Sequence, residues 1–196
     1  GEPTFIEHER DYGLSLPTEA ELHRELDDDP STYVYNIATK LNMGYGAKGV
    51  LRIDIANCYK SIYTHYLVSI KLGLSESKKQ HRLFRADRSK ASCDYKKYSG
   101  FDRHIRGLNS NESSGILPGP RVSNYIPEAY LSRIDKDIED ELTSRSINPV
   151  RFVRYVDDYE FFIYDERAIQ TIISAVELVL NRYRLTVNDY KTEFQA

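Results

Sequence analysis

Cysteine is scarce in this chain: Cys58 and Cys93 are the only two. They form no Cys-x-x-Cys pair and fit no zinc spacing, which removes a zinc ribbon or a disulfide-stapled scaffold from consideration. Long apolar runs are missing as well. No stretch approaches the roughly 18 residues of a membrane span, and the N-terminus lacks the charged and apolar regions of a signal peptide. The expectation is a soluble protein of a reducing cytoplasm, where the Asn111-Glu112-Ser113 sequon carries no meaning for glycosylation. There is no internal repeat and no low-complexity tract. The 196 residues suffice for one sizeable domain with its own core.

Net charge is small too, at −3, but it is unevenly spread. Ten acids face only Arg10 and Arg24 between Gly1 and Tyr33, whereas ten Lys or Arg face Asp87, Asp94 and Asp102 between Lys78 and Arg106. A basic segment of that density attracts phosphates. A solvated surface is the plain alternative for any charge run.

Hydrophobic patterning sets the order of elements. "AKGVLRIDI" (Ala47–Ile55) reads as a strand, and "NCYKSIYTHYLVSIKLG" after it has helical spacing, with Gly73 as its stop. The basic stretch up to Arg106 is expected to be irregular or broken helix. Asn109–Pro120 is loop chemistry. A helix then carries Ile126, Tyr130, Leu131, Ile134, Ile138 and Leu142 on one stripe, with Pro127 bending it or marking its first turns. Two strands follow, about Arg151–Val156 and Tyr159–Tyr164, as a hairpin with Asp157-Asp158 at its tip. Glu166–Tyr183 is an amphipathic helix, and "LTVNDYKTEF" closes as strand, turn and strand. The order predicts an α+β fold, an antiparallel sheet backed by helices.

Asp is disfavoured in strands, yet Asp157 and Asp158 interrupt two apolar ones and Asp54 ends a third. Strand ends set side by side would gather these carboxylates, and clustered acids stay ionised only if a cation neutralises them. Hard oxygen ligands on a rigid sheet suit Mg²⁺, which also takes substrate phosphates as ligands. Two such ions support in-line phosphoryl transfer. Ordinary turn residues remain the alternative for an isolated Asp-Asp pair. It weakens here because a two-residue turn usually wants Gly and because Asp54 and a Gly-Pro loop complete the set.

Those motifs carry a resemblance. "YVDD" (Tyr155–Asp158) resembles the active-site hairpin of reverse transcriptases, and "LRIDIANCY" (Leu51–Tyr59) resembles their first catalytic strand. "GILPGPRVSNYIPEAYLSRID" (Gly115–Asp135) is similar to their template- and nucleotide-holding loop and helix. "LTVNDYKTEF" (Leu185–Phe194) is similar to the lysine-bearing motif that follows the hairpin. The motifs stand in family order over Lys48–Phe194.

The resemblance implies a polymerase palm over 48–196, with a basic fingers-like insertion at about 76–108, and partial fingers or an N-terminal segment over 1–47. It implies metal ligation by Asp54, Asp157 and Asp158 with the Ile55 carbonyl, and Mg²⁺ as cofactor, with Mn²⁺ able to substitute. Tyr59 matches the aromatic that closes against the sugar 2′-carbon, where a ring clashes with a 2′-hydroxyl; a core aromatic is the alternative. Lys191 matches the lysine near the triphosphate, a candidate to neutralise or protonate pyrophosphate; an exposed turn lysine is the alternative. Gly119, Pro120 and Ser123 would face the nucleotide. Lys78, Lys79, Arg82, Arg85, Arg103 and Arg106 would meet nucleic-acid backbone. Lys40, Lys48 and Arg52 are weaker candidates for gripping the triphosphate, the last two reading more simply as strand-flanking surface charges.

One departure narrows the resemblance. Retroviral and group II intron enzymes usually carry Gln just before the second Gly of this loop, whereas this chain has Pro118, which cannot donate a hydrogen bond. The form Gly-Ile-x-x-Gly-Pro-x-x-Ser, "LSRID" after it, and "SIYTH" (Ser61–His65) look like the bacterial abortive-infection (Abi) and other phage-defence reverse transcriptases. His65 itself is given no chemistry. Such relatives are implied to use deoxynucleoside triphosphates with DNA or RNA, some without template and primed from a protein hydroxyl, which leaves a covalent protein–DNA product. A retron or group II intron-type enzyme with RNA templating stays open, as does an inactive palm-like scaffold that binds nucleic acid. No thumb follows the last motif, so further duplex-holding surface, and any homo-oligomeric contact, is expected outside this chain.

Overall fold

In the computed structural model, residues 4–5, 30–116 and 122–196 are described, with side chains over 37–116 and 125–196. The chain forms two compact units. The first comprises the described residues up to Asp54, Arg151–Ile169 and Lys191–Ala196. It holds helix α1 (Pro30–Gly44) and strands β1 (Thr4–Phe5), β2 (Gly49–Asp54), β3 (Phe152–Tyr155), β4 (Asp158–Ile163) and β5 (Glu193–Gln195). They build one antiparallel sheet in the order β1-β3-β4-β2-β5.

Register decides which residues share a face, because directly opposed residues point the same way and neighbours along a strand alternate. Leu51 opposes Phe161, Ile53 opposes Tyr159, Phe152 opposes Phe161 and Arg154 opposes Tyr159. All six are buried. The rings of Phe152 and Phe161 lie 4.9 Å apart and those of Tyr159 and Phe161 stack at 5.8 Å. Each fully buried side chain of this size contributes about 1.5–3 kcal/mol. The opposite face carries Asp54, Asp158, Arg52, Glu160 and Glu193. There Arg52 lies 3.4 Å from Glu160 and 3.6 Å from Glu193, a cross-strand charge match that supports the register. Lys40 of α1 also pairs with Glu160, and the Tyr164 hydroxyl donates to the Met43 carbonyl.

The second unit, Ile55–Val150 with Gln170–Tyr190, is helical. It contains α2 (Cys58–Ser61), a 3₁₀ turn at Thr64–Val68, α3 (Ser69–Ala86), α4 (Cys93–Leu108), α5 (Val122–Ser144) and most of α6 (Ile169–Arg182). Ile126, Tyr130, Leu131, Ile134, Ile138 and Leu142 on α5 are all buried, as are Ile172, Val176, Val179 and Leu180 on α6. Tyr130 and Tyr183 meet edge-on at 5.6 Å, and burial pushes both phenols far above their usual range. Among the described residues no helix is long and apolar enough to cross a membrane. Cys58 is buried and Cys93 exposed, both as free thiols.

The structure corrects two expectations. The stretch leading to Gly73 is not one helix but α2, a 3₁₀ turn and the start of α3; helical geometry does break at Gly73, at φ 71°, a conformation Gly adopts without steric cost. The hairpin tip is shifted by one residue. The turn is Val156-Asp157, and Asp158 is already the first residue of β4, opposite Tyr155 and Asp54. Apolar alternation alone does not reveal that Val156 takes φ 57°.

Gly49 is required by close approach, since a Cβ there would strike the Gln195 carbonyl and the Phe194 ring. Gly49→Ala should therefore wedge β5 off the sheet. Overpacking of this type costs about 1–3 kcal/mol, a fall of roughly 2–12 °C in Tm for a chain of this size. Thermal denaturation followed by circular dichroism measures it, and an unchanged Tm would contradict the β2–β5 pairing.

Candidate active site

Asp54 ends β2 and is 4% exposed, so its carboxylate is fixed by the sheet rather than by solvent. The β2–β4 register sets Asp158 directly across from it. Asp157 precedes Asp158 in the turn. The two-residue turn closes with Val156 in the left-handed region, at φ 57°. A β-branched residue pays about 1–2 kcal/mol for that conformation. Arg154 offsets it: fully buried on the opposite face of the sheet, it donates from Nη1 to the Val156 carbonyl at 2.8 Å. A hydrogen bond from a charged donor contributes about 1.5–3 kcal/mol, enough to hold the strained tip.

Lys191, just before β5, donates from Nζ to Asp54 Oδ1 at 2.5 Å. The hydrogen bond and charge of Asp54 raise the Lys191 ammonium above its usual range, with Asp158 and Asp157 adding to it. Asp158 is raised as well, above the ordinary carboxylate range. Burial, then the charges of Asp157 and Asp54 and a hydrogen bond shared with Asp54, push it up; Lys191 only partly relieves it. The structure thus brings together Asp54, Asp157, Asp158 and Lys191 in one unit, a crowded anionic site with one ammonium against it.

No cluster of three or more His, Cys, Asp or Glu side chains among the described residues is preassembled to hold a metal ion. Mg²⁺ does not need one, because it keeps several waters and is usually bound through one or two carboxylates plus substrate phosphates. Paired acids that resist joint ionisation fit such an ion.

A family profile described as reverse transcriptase (RNA-dependent DNA polymerase) matches residues 17–196. The chain belongs to the reverse transcriptase family. It is an RNA-directed DNA polymerase in type, and nucleotides and nucleic acid are the substrates its domain implies. Comparison with curated proteins finds no match.

Those expected residues of the reverse transcriptase that are described from Ile55 to Ser123 fall in its helical unit. Ile55 is fully buried and bridges to Val187. Tyr59, on α2, is half-buried, and its carbonyl accepts the Ile116 amide at 3.1 Å. Gly119 and Pro120 lie outside the described residues, and Ser123 is placed on α5 by its backbone alone. Lys78, Arg82 and Arg85 recur along one exposed side of α3. Lys79 is exposed near Glu76, at 3.5 Å, and Arg103 is exposed on α4. Arg106 is half-buried and sits 3.4 Å from Asp102, so its charge is already matched. Arg154 was not foreseen, although an arginine at an inward position of "RFVRY" is itself a signal.

The raised Asp158 carboxyl fixes the sign of a pH effect. The folded chain holds this proton more tightly than the unfolded one, so stability falls as pH rises from the ordinary 3.8 through the raised value. In chelator at about pH 7, Asp158→Asn should melt above wild type, with the advantage gone below about pH 3. Differential scanning calorimetry across that range checks it; equal melting at neutral pH would show that the carboxylates do not repel.

Proposed function

We propose that this reverse transcriptase adds deoxynucleotides by phosphoryl transfer at Asp54, Asp157 and Asp158, in a cytoplasmic anti-phage defence role of the abortive-infection type. The observation that carries the site is the register that opposes Asp54 to Asp158 with Asp157 in the adjoining turn. Asp54 and Asp157 would be the principal metal ligands, Asp158 a ligand or supporting charge, and Ile55 a carbonyl donor. Two Mg²⁺ ions (or Mn²⁺) held by these residues would supply Lewis acidity to an attacking hydroxyl and to the leaving pyrophosphate oxygen.

The chain's own residues supply the rest. The sheet holds the carboxylates rigid, which preorganises charge where it develops in the transition state. Lys191, on Asp54 in this structure, is suited to turn to the triphosphate and to protonate or neutralise the leaving group. The Tyr59 ring would exclude a 2′-hydroxyl and favour deoxynucleotides. Gly119 permits close backbone approach to the nucleotide. Pro118 supports the defence-type reading, because a donor that templated relatives carry at that position is replaced by a residue that cannot donate.

Incubation with labelled deoxynucleotides and Mg²⁺, with and without RNA template, followed by denaturing gels, tests the scheme. Label is expected without template, on nucleic acid or on the protein itself; extension only with template would favour the retron or group II-type reading. Asp157→Asn should cut incorporation by at least about 10²–10³-fold while the melting profile stays cooperative. Unchanged incorporation would refute the carboxylate assignment, and no incorporation by wild type would favour an inactive scaffold.

The basic side of α3 gives a separate expectation. Replacing Arg82 and Arg85 together with Ala should weaken binding of nucleic acid of any sequence and reduce the log Kd–log salt slope by about 2. Fluorescence anisotropy over a salt series measures this, and an unchanged slope would place the contacts elsewhere.

A further inference from the structure

His65 has no part in the scheme above, yet it joins three segments of the helical unit. Its Nδ1 lies 2.9 Å from Asp102 Oδ2 on α4, and its Nε2 lies 3.3 Å from Ser113 Oγ. Asp102 is 4% exposed. An ionised carboxylate only accepts, so Nδ1 carries the hydrogen and the ring is oriented with Nε2 towards Ser113. The Asp102 carboxylate also faces Arg106 at 3.4 Å.

Ser113 begins a short segment stitched onto the Tyr59–His65 stretch. Thr64 N donates to the Ser113 carbonyl at 2.9 Å, Gly115 N to the Ile62 carbonyl at 2.9 Å, and Ile116 N to the Tyr59 carbonyl at 3.1 Å. Asn109 Nδ2 reaches the Ser114 and Gly115 carbonyls at 3.2 and 3.3 Å. Gly115 takes φ 85°, and a Cβ on it would meet the Lys60 carbonyl at 3.4 Å. The segment runs directly into residues 117–120. Its lateral position is tied to the main chain at Tyr59, Ile62 and Thr64.

We propose that His65 is a positioning residue: held by Asp102, it clamps Ser113 and so keeps residues 113–116 in register beside Tyr59, setting nucleotide affinity. The inference rests on the reading of Tyr59 as nucleotide-facing. A serine, a histidine and a buried aspartate in this order also occur as a nucleophilic triad. The Ser113 main chain, bound through its carbonyl to Thr64, favours a clamp over a nucleophile.

Two readouts test it on the full chain. By hydrogen exchange, the Gly115 and Ile116 amides should lose at least about tenfold protection in His65→Ala, while amides of β2 and β4 keep theirs. On oligo(dT)-primed poly(rA) with dTTP and Mg²⁺, the same variant should raise KM for dTTP about tenfold, equivalent to about 1.4 kcal/mol, with kcat within about twofold. Ser113→Ala, a change at a partly exposed loop hydroxyl that should not unfold the chain, should reproduce the KM effect. The double variant should be no worse than His65→Ala, as expected for one shared contact. Ser113→Thr, which keeps the hydroxyl, should restore wild-type KM. Unchanged protection at Gly115 and Ile116 would overturn the clamp whatever the enzyme's activity, as would labelling of Ser113 by a fluorophosphonate. Absence of dTTP incorporation by wild type on this template would count only against templated synthesis, with the exchange measurement still deciding the clamp.

Discussion

Two antiparallel strands oppose Asp54 to Asp158, across a ladder that brings facing Cβ atoms to about 5 Å. Two carboxylates at that separation repel, and burial of Asp54 removes the water that would screen them. Much of the first unit serves to hold that arrangement against its own repulsion. The aromatic stack on the far face, Phe152, Tyr159 and Phe161, gives the strands an apolar reason to stay paired. Arg52, between Glu160 and Glu193, adds charge matching along the same face as the acids. Lys191 supplies a positive charge in contact with Asp54.

The turn is the second place where stability is given up locally. Val156 occupies a backbone region that suits glycine, and the Arg154 guanidinium beneath the sheet compensates by binding its carbonyl. A buried arginine is costly to desolvate unless its donors are used. Here one donor restrains the segment that carries Asp157. Destabilised local geometry supported from a rigid layer is the usual arrangement where a protein does chemistry.

Most of the elements were legible in the residues, because period-2 and period-3.6 patterns are strong in β4, α5 and α6. The carboxylate set was legible as well, since acids inside apolar strands have few structural reasons to exist. What escaped notice depended on three-dimensional backbone geometry. The tip was displaced by one residue because nothing in "YVDD" advertises a positive φ at Val156. The stretch before Gly73 read as one helix because its spacing does not mark the 3₁₀ turn at Thr64–Val68. Lys191 pointed to a triphosphate by resemblance, while its hydrogen bond to Asp54 depends on β5 pairing with β2. The partners of Arg154 and His65 lie in segments that only the tertiary structure brings together.

The bond from Lys191 to Asp54 spans 137 positions of the chain. Contacts so distant in sequence form late, because loop closure must precede any reward from the contact. During synthesis, Asp54 emerges long before β4 and longer still before Lys191, and β2 waits unpaired for both neighbours. The carboxylate site is therefore among the last parts of the molecule to be assembled. A nascent or interrupted chain carries the strand of Asp54 without its partners, so the carboxylates meet only after the downstream strands have emerged.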